Sequence, residues 1–374
     1  MTECRLFNFK AIAILTVSVM VFASFATVFA DSSDADSSIT VTDGKDIEHT
    51  FDYVPEHIAT IGLGITVTAV RLGVLDKIVV ADKYSNDDKY DILKEFTKKV
   101  SDGKIAAGGS IYSSGSADLK KDLINAADTE KGGIFDKNKD VIFITGSDTY
   151  IVEIVDNLKK LGFKNILQWN LITEYSDIID LVKTISLVTL GTEDKIVSQM
   201  SDLSGYIKDK LGDREKAEAF YVSTDNNGNF KVGNTGSLAN SMIIAAGGNS
   251  ITVDSSKSAS TYETNLTLLV ESHPDVIIFV DNRIASDESS INSLRSKVGS
   301  DVTMVNLEAL WNNYSTESMN GVWTMACALY PDLFSGDVPY ADEESQDNTA
   351  LYVGAGIVVV VIIIAAGVLF LRKH

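Results

Sequence analysis

Any chemistry in this chain has to be built from few reactive side chains. A site of several soft ligands would need most of its four histidines and two cysteines. His49, His57 and His273 do not fall at metal-ligand spacing. His57 and His273 each stand just before an apolar run, where structural or surface roles are expected. No G-x-S-x-G elbow, P-loop or H-E-x-x-H pattern occurs. Gly62-Leu63-Gly64 follows an apolar run, but Val67 stands where a dinucleotide fingerprint has its last glycine. A net charge of −20 argues against nucleic acid, whose phosphates need clustered Lys and Arg.

What the chain does offer is a set of small, polar loops after apolar runs, each with an aromatic nearby. They are Gly62-Leu63-Gly64-Ile65-Thr66, Gly108-Gly109-Ser110-Ile111-Tyr112-Ser113-Ser114 and Thr145-Gly146-Ser147-Asp148-Thr149-Tyr150. Further on come Gly233-Asn234-Thr235-Gly236-Ser237, Asp281-Asn282-Arg283 and Leu310-Trp311-Asn312-Asn313-Tyr314. Small residues admit close approach of a ligand, and aromatics give apolar contact area with a polar handle. Asp148 and Asp281 are the titratable carboxyls in this set, too few for a convergent catalytic constellation. The pattern points to binding without catalysis, and no cofactor is implied. The cleft candidates are Thr66, Ser110, Tyr112, Ser147, Tyr150, Asn234, Ser237, Arg283, Trp311 and Tyr314.

These loops need a scaffold of alternating strands and helices. Short β-branched runs lie at 57–61, 77–81, 140–145, 165–168, 219–222, 275–280 and 302–306, with helical patterns such as 149–161 and 265–271 between several of them. Strand-then-helix repetition predicts parallel sheets covered on both faces, with ligand sites at the carboxyl ends of the strands. From 175 to 211 the apolar spacing is helical throughout. Gly191-Thr192 divides it, with Thr192 read as the N-cap of a second helix. The expected architecture is two doubly wound α/β lobes, 31–172 and 213–335, with linking helices at 173–212, one of them a single long, stiff helix that joins the lobes.

The ends are of another kind. Arg5 and Lys10 precede an apolar run, and Val28-Phe29-Ala30 suits a signal peptidase, so 1–30 reads as a signal peptide. Residues 351–371 carry no charge, and 21 residues cover roughly 30 Å as a helix, the hydrocarbon thickness of a bilayer. Arg372, Lys373 and His374 follow, which places the tail inside and the body outside the cell. Residues 336–350 form an acidic linker. With Cys4 in the signal, Cys327 is alone and reads as a buried small hydrophobe.

A resemblance rests on ordered short motifs. Residues 39–44 (ITVTDG), 54–62 (VPEHIATIG), 72–82 (LGVLDKIVVAD), 273–278 (HPDVII) and 329–334 (LYPDLF) resemble the iron-siderophore/cobalamin class of ABC-importer substrate-binding proteins. His57 replaces the Arg usual there. The resemblance implies two lobes that close only modestly, an iron chelate, haem or corrinoid held between them, and delivery to an ABC permease with its ATPase. It also implies one docking glutamate per lobe. Thr267 stands at the second-lobe position, with Glu263 and Glu271 as the nearby candidates, and no glutamate aligns in 117–138. A membrane-anchored monomer is expected, with a surface adhesion or sensing protein on the same fold as the alternative. Because Arg283 is the one cation in the candidate set, a nearly neutral chelate or corrinoid fits better than a polycarboxylate. Asn265 and Asn313 begin glycosylation sequons.

Overall fold

The computed structural model describes residues 38–112 and 115–339. The candidate signal peptide at 1–30, the candidate span at 351–371, most of the expected linker at 336–350 and Ser113-Ser114 lie outside the described residues. Among the described residues, no helix is long and apolar enough to cross a membrane.

The chain opens with an antiparallel pair, β1 (Ile39–Thr42) and β2 (Glu48–Phe51). Asp43 closes this hairpin. Its Oδ1 accepts from the Lys45 and Ile47 amides at 2.9 and 3.1 Å, and its Oδ2 accepts from the Gln168 amide at 3.2 Å and lies 3.2 Å from His49 Nε2. Burial alone would raise its carboxyl, but His49 and the three amides together hold it below the ordinary aspartate value.

The first sheet runs β4-β3-β5-β6 and is wholly parallel, from β3 (Ile58–Ile61), β4 (Ile78–Ala81), β5 (Val141–Thr145) and β6 (Asn165–Trp169). Side chains of β5 alternate: Val141 and Phe143 enter one core, Ile142 and Ile144 another. Both faces are therefore dry, which is why β5 reads as an unbroken apolar run. Helices α1 (Leu63–Arg71) and α2 (Lys94–Ser101) lie on the first face. Helices α3 (Ser116–Ala126) and α4 (Asp148–Lys160) lie on the second.

The second sheet is mixed. β7 (Glu218–Thr224), β11 (Ile277–Val280) and β12 (Thr303–Asn306) pair in parallel, as do β7 and the two-residue β9 (Asn249–Ser250). β8 (Phe230–Gly233) and β10 (Thr261–Tyr262) add an antiparallel edge. Its helices are α7 (Leu238–Ala245), α8 (Leu266–Ser272), α9 (Asn282–Ala285), α10 (Glu288–Val298) and α11 (Ser318–Leu329).

Between the sheets run α5 (Tyr175–Leu190) and α6 (Lys195–Leu211). The connection is a helical hairpin rather than a single rod. Gly191, at φ 79°, ends α5 in the left-handed region, and the N-cap of α6 is Asp194, whose carboxylate accepts from the Ile196 amide at 2.9 Å. Thr192 does not cap; its carbonyl accepts from Ser186 Oγ at 2.9 Å. Helix α5 packs on β1 and α1 at one side and on α7 at the other. Its buried Ile178, Leu181, Val182, Ile185 and Val188 belong to one apolar cluster that also takes in Phe143 and Leu167 of the first sheet and Tyr221 and Phe279 of the second. The two lobes thus share a core across the hairpin.

Candidate functional site

The carboxyl ends of the parallel strands carry the exposed polar groups, and the second lobe builds the better defined part. β7 presents Tyr221 from its inner face, and β11 ends in Asp281, the N-cap of α9. Asp281 Oδ1 accepts from the Arg283 amide at 3.0 Å and from Arg283 Nε at 2.9 Å. The Tyr221 hydroxyl donates to Asp281 Oδ2 and accepts from Asn312 Nδ2 at 3.1 Å. Burial, then the neighbouring Asp281 carboxylate, push Tyr221 well above the usual phenol value, so it stays a neutral donor. Tyr221, Arg283 and Asn312 border a cavity of ≈ 670 Å³, whose lining also includes Leu171, Thr173, Lys231, Ser237 and Tyr314, with Asp281 behind Arg283. Leu171 and Thr173 come from the segment after β6, so the cavity draws on both lobes.

In the first lobe, β4 runs directly into Asp82-Lys83-Tyr84. Asp82 is buried, and its carboxylate caps a single 3-10 turn by accepting from the Tyr84 amide at 2.8 Å. Burial pushes this carboxyl up to about 6. Three exposed tyrosines pack edge to face beside it: Tyr84 and Tyr112 with centroids 6.1 Å apart, Tyr112 and Tyr150 at 5.4 Å. Lys83 Nζ lies 5.1 Å from the Tyr84 centroid. The two halves meet at Tyr314. Its phenol is pushed up to about 12, first by burial and then by Tyr112. Its backbone crosses so near Gly64 of α1 that a Cβ there would meet the Tyr314 carbonyl oxygen at 2.4 Å. Beside this contact Arg71 Nε donates to Glu317 Oε1 at 3.1 Å.

The expected site residues divide accordingly. Ser237, Arg283 and Tyr314 border this cavity, and Tyr112 and Tyr150 stand together in the tyrosine wall. Ser147 is the half-buried residue preceding α4, its carbonyl accepting from the Tyr150 and Ile151 amides at 3.1 Å. The others face inward. Thr66 is fully buried within α1, because the turn expected at 62–66 is already helix: Gly62, at φ 131°, precedes it, and the Thr66 amide donates to the Gly62 carbonyl at 3.1 Å. Thr66 Oγ1 donates to Thr60 Oγ1 at 2.9 Å and accepts from Ser85 Oγ at 2.8 Å. Ser110 is fully buried, its hydroxyl accepting from the Tyr112 amide at 3.3 Å. Asn234 is a buried clamp on the following loop. Its Nδ2 donates to the Lys257 and Ala259 carbonyls at 3.1 and 2.9 Å, and its Oδ1 accepts from the Asp254 amide at 2.7 Å. Trp311 is buried in the shared core, with Met242 beside it across Gly321.

Tyr84, Tyr221, Asn312 and Lys231 join the site without having been singled out. Tyr84 follows a readable strand end and was within reach of the same rule that found Tyr150. Tyr221 lies mid-strand, where alternation alone makes it core. Glu263 is exposed and accepts from Lys231 Nζ at 2.6 Å, and Glu271 is exposed on α8. The hydroxyl of Thr267 donates to the Lys297 carbonyl at 2.8 Å. The three described histidines are paired with carboxylates: His57 with Asp140 at 3.1 Å, His49 with Asp43 at 3.2 Å and His273 with Glu218 at 2.7 Å.

No protein-family model and no curated protein sequence matches the chain. Solved structures do. The fold is that of two-lobed periplasmic binding proteins. Helicobacter pylori CeuE with Ni(II) bound shares 15% identity at a TM-score of 0.55, covering 79% of this chain and 90% of that one. The periplasmic vitamin B12 binding protein BtuF of Vibrio cholerae shares 13% at 0.52, covering 74% and 97%. The periplasmic heme binding protein HutB of Vibrio cholerae shares 14% at 0.53, covering 74% and 99%.

Proposed function

We propose that this chain is the substrate-binding protein of an ABC importer. It captures an iron chelate, haem or corrinoid between its lobes and hands it unaltered to a permease with its ATPase. The observation that carries the reading is the convergence at Tyr314 of a tyrosine wall on one lobe and a hydroxyl-rich cavity on the other. Such a site grips through apolar faces and oriented hydrogen bonds and needs no group that changes its ligand. The fold shared with binding proteins for vitamin B12 and heme supports the ligand class. Export by residues 1–30 and anchoring by 351–371 complete the proposal: the body lies outside a single membrane, where the tether raises its effective concentration at the permease.

The test is titration of the full chain in detergent with hemin, cyanocobalamin and ferrioxamine B, followed by tryptophan fluorescence. Trp311, next to the cavity residue Asn312, is the reporter. Saturable quenching by one of them at micromolar concentration or below is the expected result. No response to any of the three removes the reading and favours adhesion or sensing.

A further inference from the structure

We infer that the cavity selects by charge, accepting a ligand of zero or positive net charge, and that Asp281 and Glu263 set this selectivity by engaging the cavity's cations. The inference rests on the proposed function and narrows its ligand. Among the described residues, two cationic side chains line the cavity, Lys231 and Arg283. Each is already met by carboxylate. Arg283 Nε donates to Asp281 at 2.9 Å. Lys231 Nζ lies 2.6 Å from Glu263 Oε1 and 3.4 Å from Asp225 Oδ2. Three carboxylates thus face two cations, and Asp281 is further fixed by the Tyr221 hydroxyl. A carboxylate on a ligand would find no unopposed cation among the described residues that line the cavity. It would also bring its own charge to within several ångströms of Asp281 and Asp225, where like charges at partly buried sites repel strongly.

The rest of the surface agrees. Tyr221, Tyr314, Ser237 and Asn312 offer neutral donors and acceptors, and the tyrosine wall presents ring edges and faces, of which Tyr84 already holds the Lys83 ammonium. Asp281 acts here as a positioning residue: it need not touch the ligand, and it works by occupying Arg283.

The test uses pairs that differ in their carboxylates: cyanocobalamin and its monocarboxylate, hemin dimethyl ester and hemin, N-acetyl and N-succinyl ferrioxamine B. Affinities are measured on the full chain in detergent. On whichever scaffold binds, the form without carboxylate is expected to bind about tenfold tighter or more. Asp281→Asn removes the charge, keeps one acceptor oxygen for Arg283 and turns its amide nitrogen to the Tyr221 hydroxyl oxygen, and is expected to shrink that ratio roughly tenfold. Glu263→Gln, at an exposed position where folding is not at stake, is expected to shrink it about twofold. Equal or tighter binding of the carboxylate forms by the native protein overturns the inference while leaving the binding function intact. A ratio that neither variant moves overturns the roles of Asp281 and Glu263. No binding on any scaffold overturns the proposed function itself.

Discussion

Replacing Gly64 by alanine tests the contact that joins the two halves of the site. Gly64 is buried in α1 with ordinary helical geometry, and its Cβ position lies 2.4 Å from the Tyr314 carbonyl oxygen and 2.7 Å from the carbonyl carbon. That neighbour is backbone, so relief requires the whole 308–317 segment to retreat by roughly half an ångström or more. Overpacking of this kind costs about 1–3 kcal/mol. Alanine in a helix returns about 1 kcal/mol over glycine. The net expectation is a loss of about 0–2 kcal/mol. Gly205→Ala is the internal control: Gly205 lies exposed in α6 with nothing within 4 Å of its Cβ position, so only the helical gain of about 1 kcal/mol remains. The two variants should therefore differ by about 1–3 kcal/mol in urea unfolding followed by circular dichroism, with equal slopes. Gly64→Ala should also weaken ligand binding by moving Tyr314 away from Tyr112, and Gly205→Ala should not. Equal shifts in the two variants would refute the interlobe contact.

The raised Asp82 carboxyl, about 6 against 3.8, gives stability that is complete below pH 4 and declines as pH rises through 6, by up to about 3 kcal/mol. Asp82→Asn should abolish that decline in urea titrations at pH 4 and pH 8, and a native protein equally stable at both would contradict it. Asp43 has the opposite sign. Its carboxyl is held low, so its contribution is present above the ordinary value of 3.8 and is lost as pH falls through the folded value. Asp43→Asn should cost about 1–3 kcal/mol at pH 7 and progressively less below pH 4, as thermal melts across that range would reveal. Burial pushes the Cys327 thiol up to about 12, so in Cys4→Ser protein it should ignore a disulfide-exchange reagent until denaturant is added. Prompt labelling of the native protein would show that the packing around α11 is looser than described.

The parallel strands were legible because both their faces are dry. The runs at 140–145 and 275–280 have no polar alternation to confuse with anything else, and the structure places β5 and β11 inside them. The antiparallel edge was not legible. β8 and β10 are short and half exposed, and Phe230-Lys231-Val232-Gly233 gives a weak period. Helix α1 escaped for a different reason. Its Ile, Val and Thr residues read as strand or turn, and burial on nearly every side overrides their low helical propensity. In the site, strand-end loops pointed to Ser237, Arg283, Tyr112 and Tyr150. Sequence could not tell a hydroxyl that faces a ligand from one that ties its own loop, as Thr66, Ser110 and Asn234 do. Nor could it pair Arg283 with Asp281 two residues away, because that depends on how α9 begins. The two sequons separate as well: Asn265 is exposed, whereas Asn313 lies against Gly64 with its Oδ1 accepting from the Tyr314 amide at 2.7 Å.

The apolar cluster that runs unbroken through α5 makes the molecule behave as a stiff spring. Swinging the walls far apart would tear Leu181, Phe143 and Phe279 out of one another's company and wet them, at about 1.5–3 kcal/mol for each side chain exposed. Thermal motion does not supply that repeatedly, so the resting molecule keeps nearly one shape. Under the proposed function, that shape is already close to the one that holds cargo, and release has to be driven from outside, by a partner that pries at the rim.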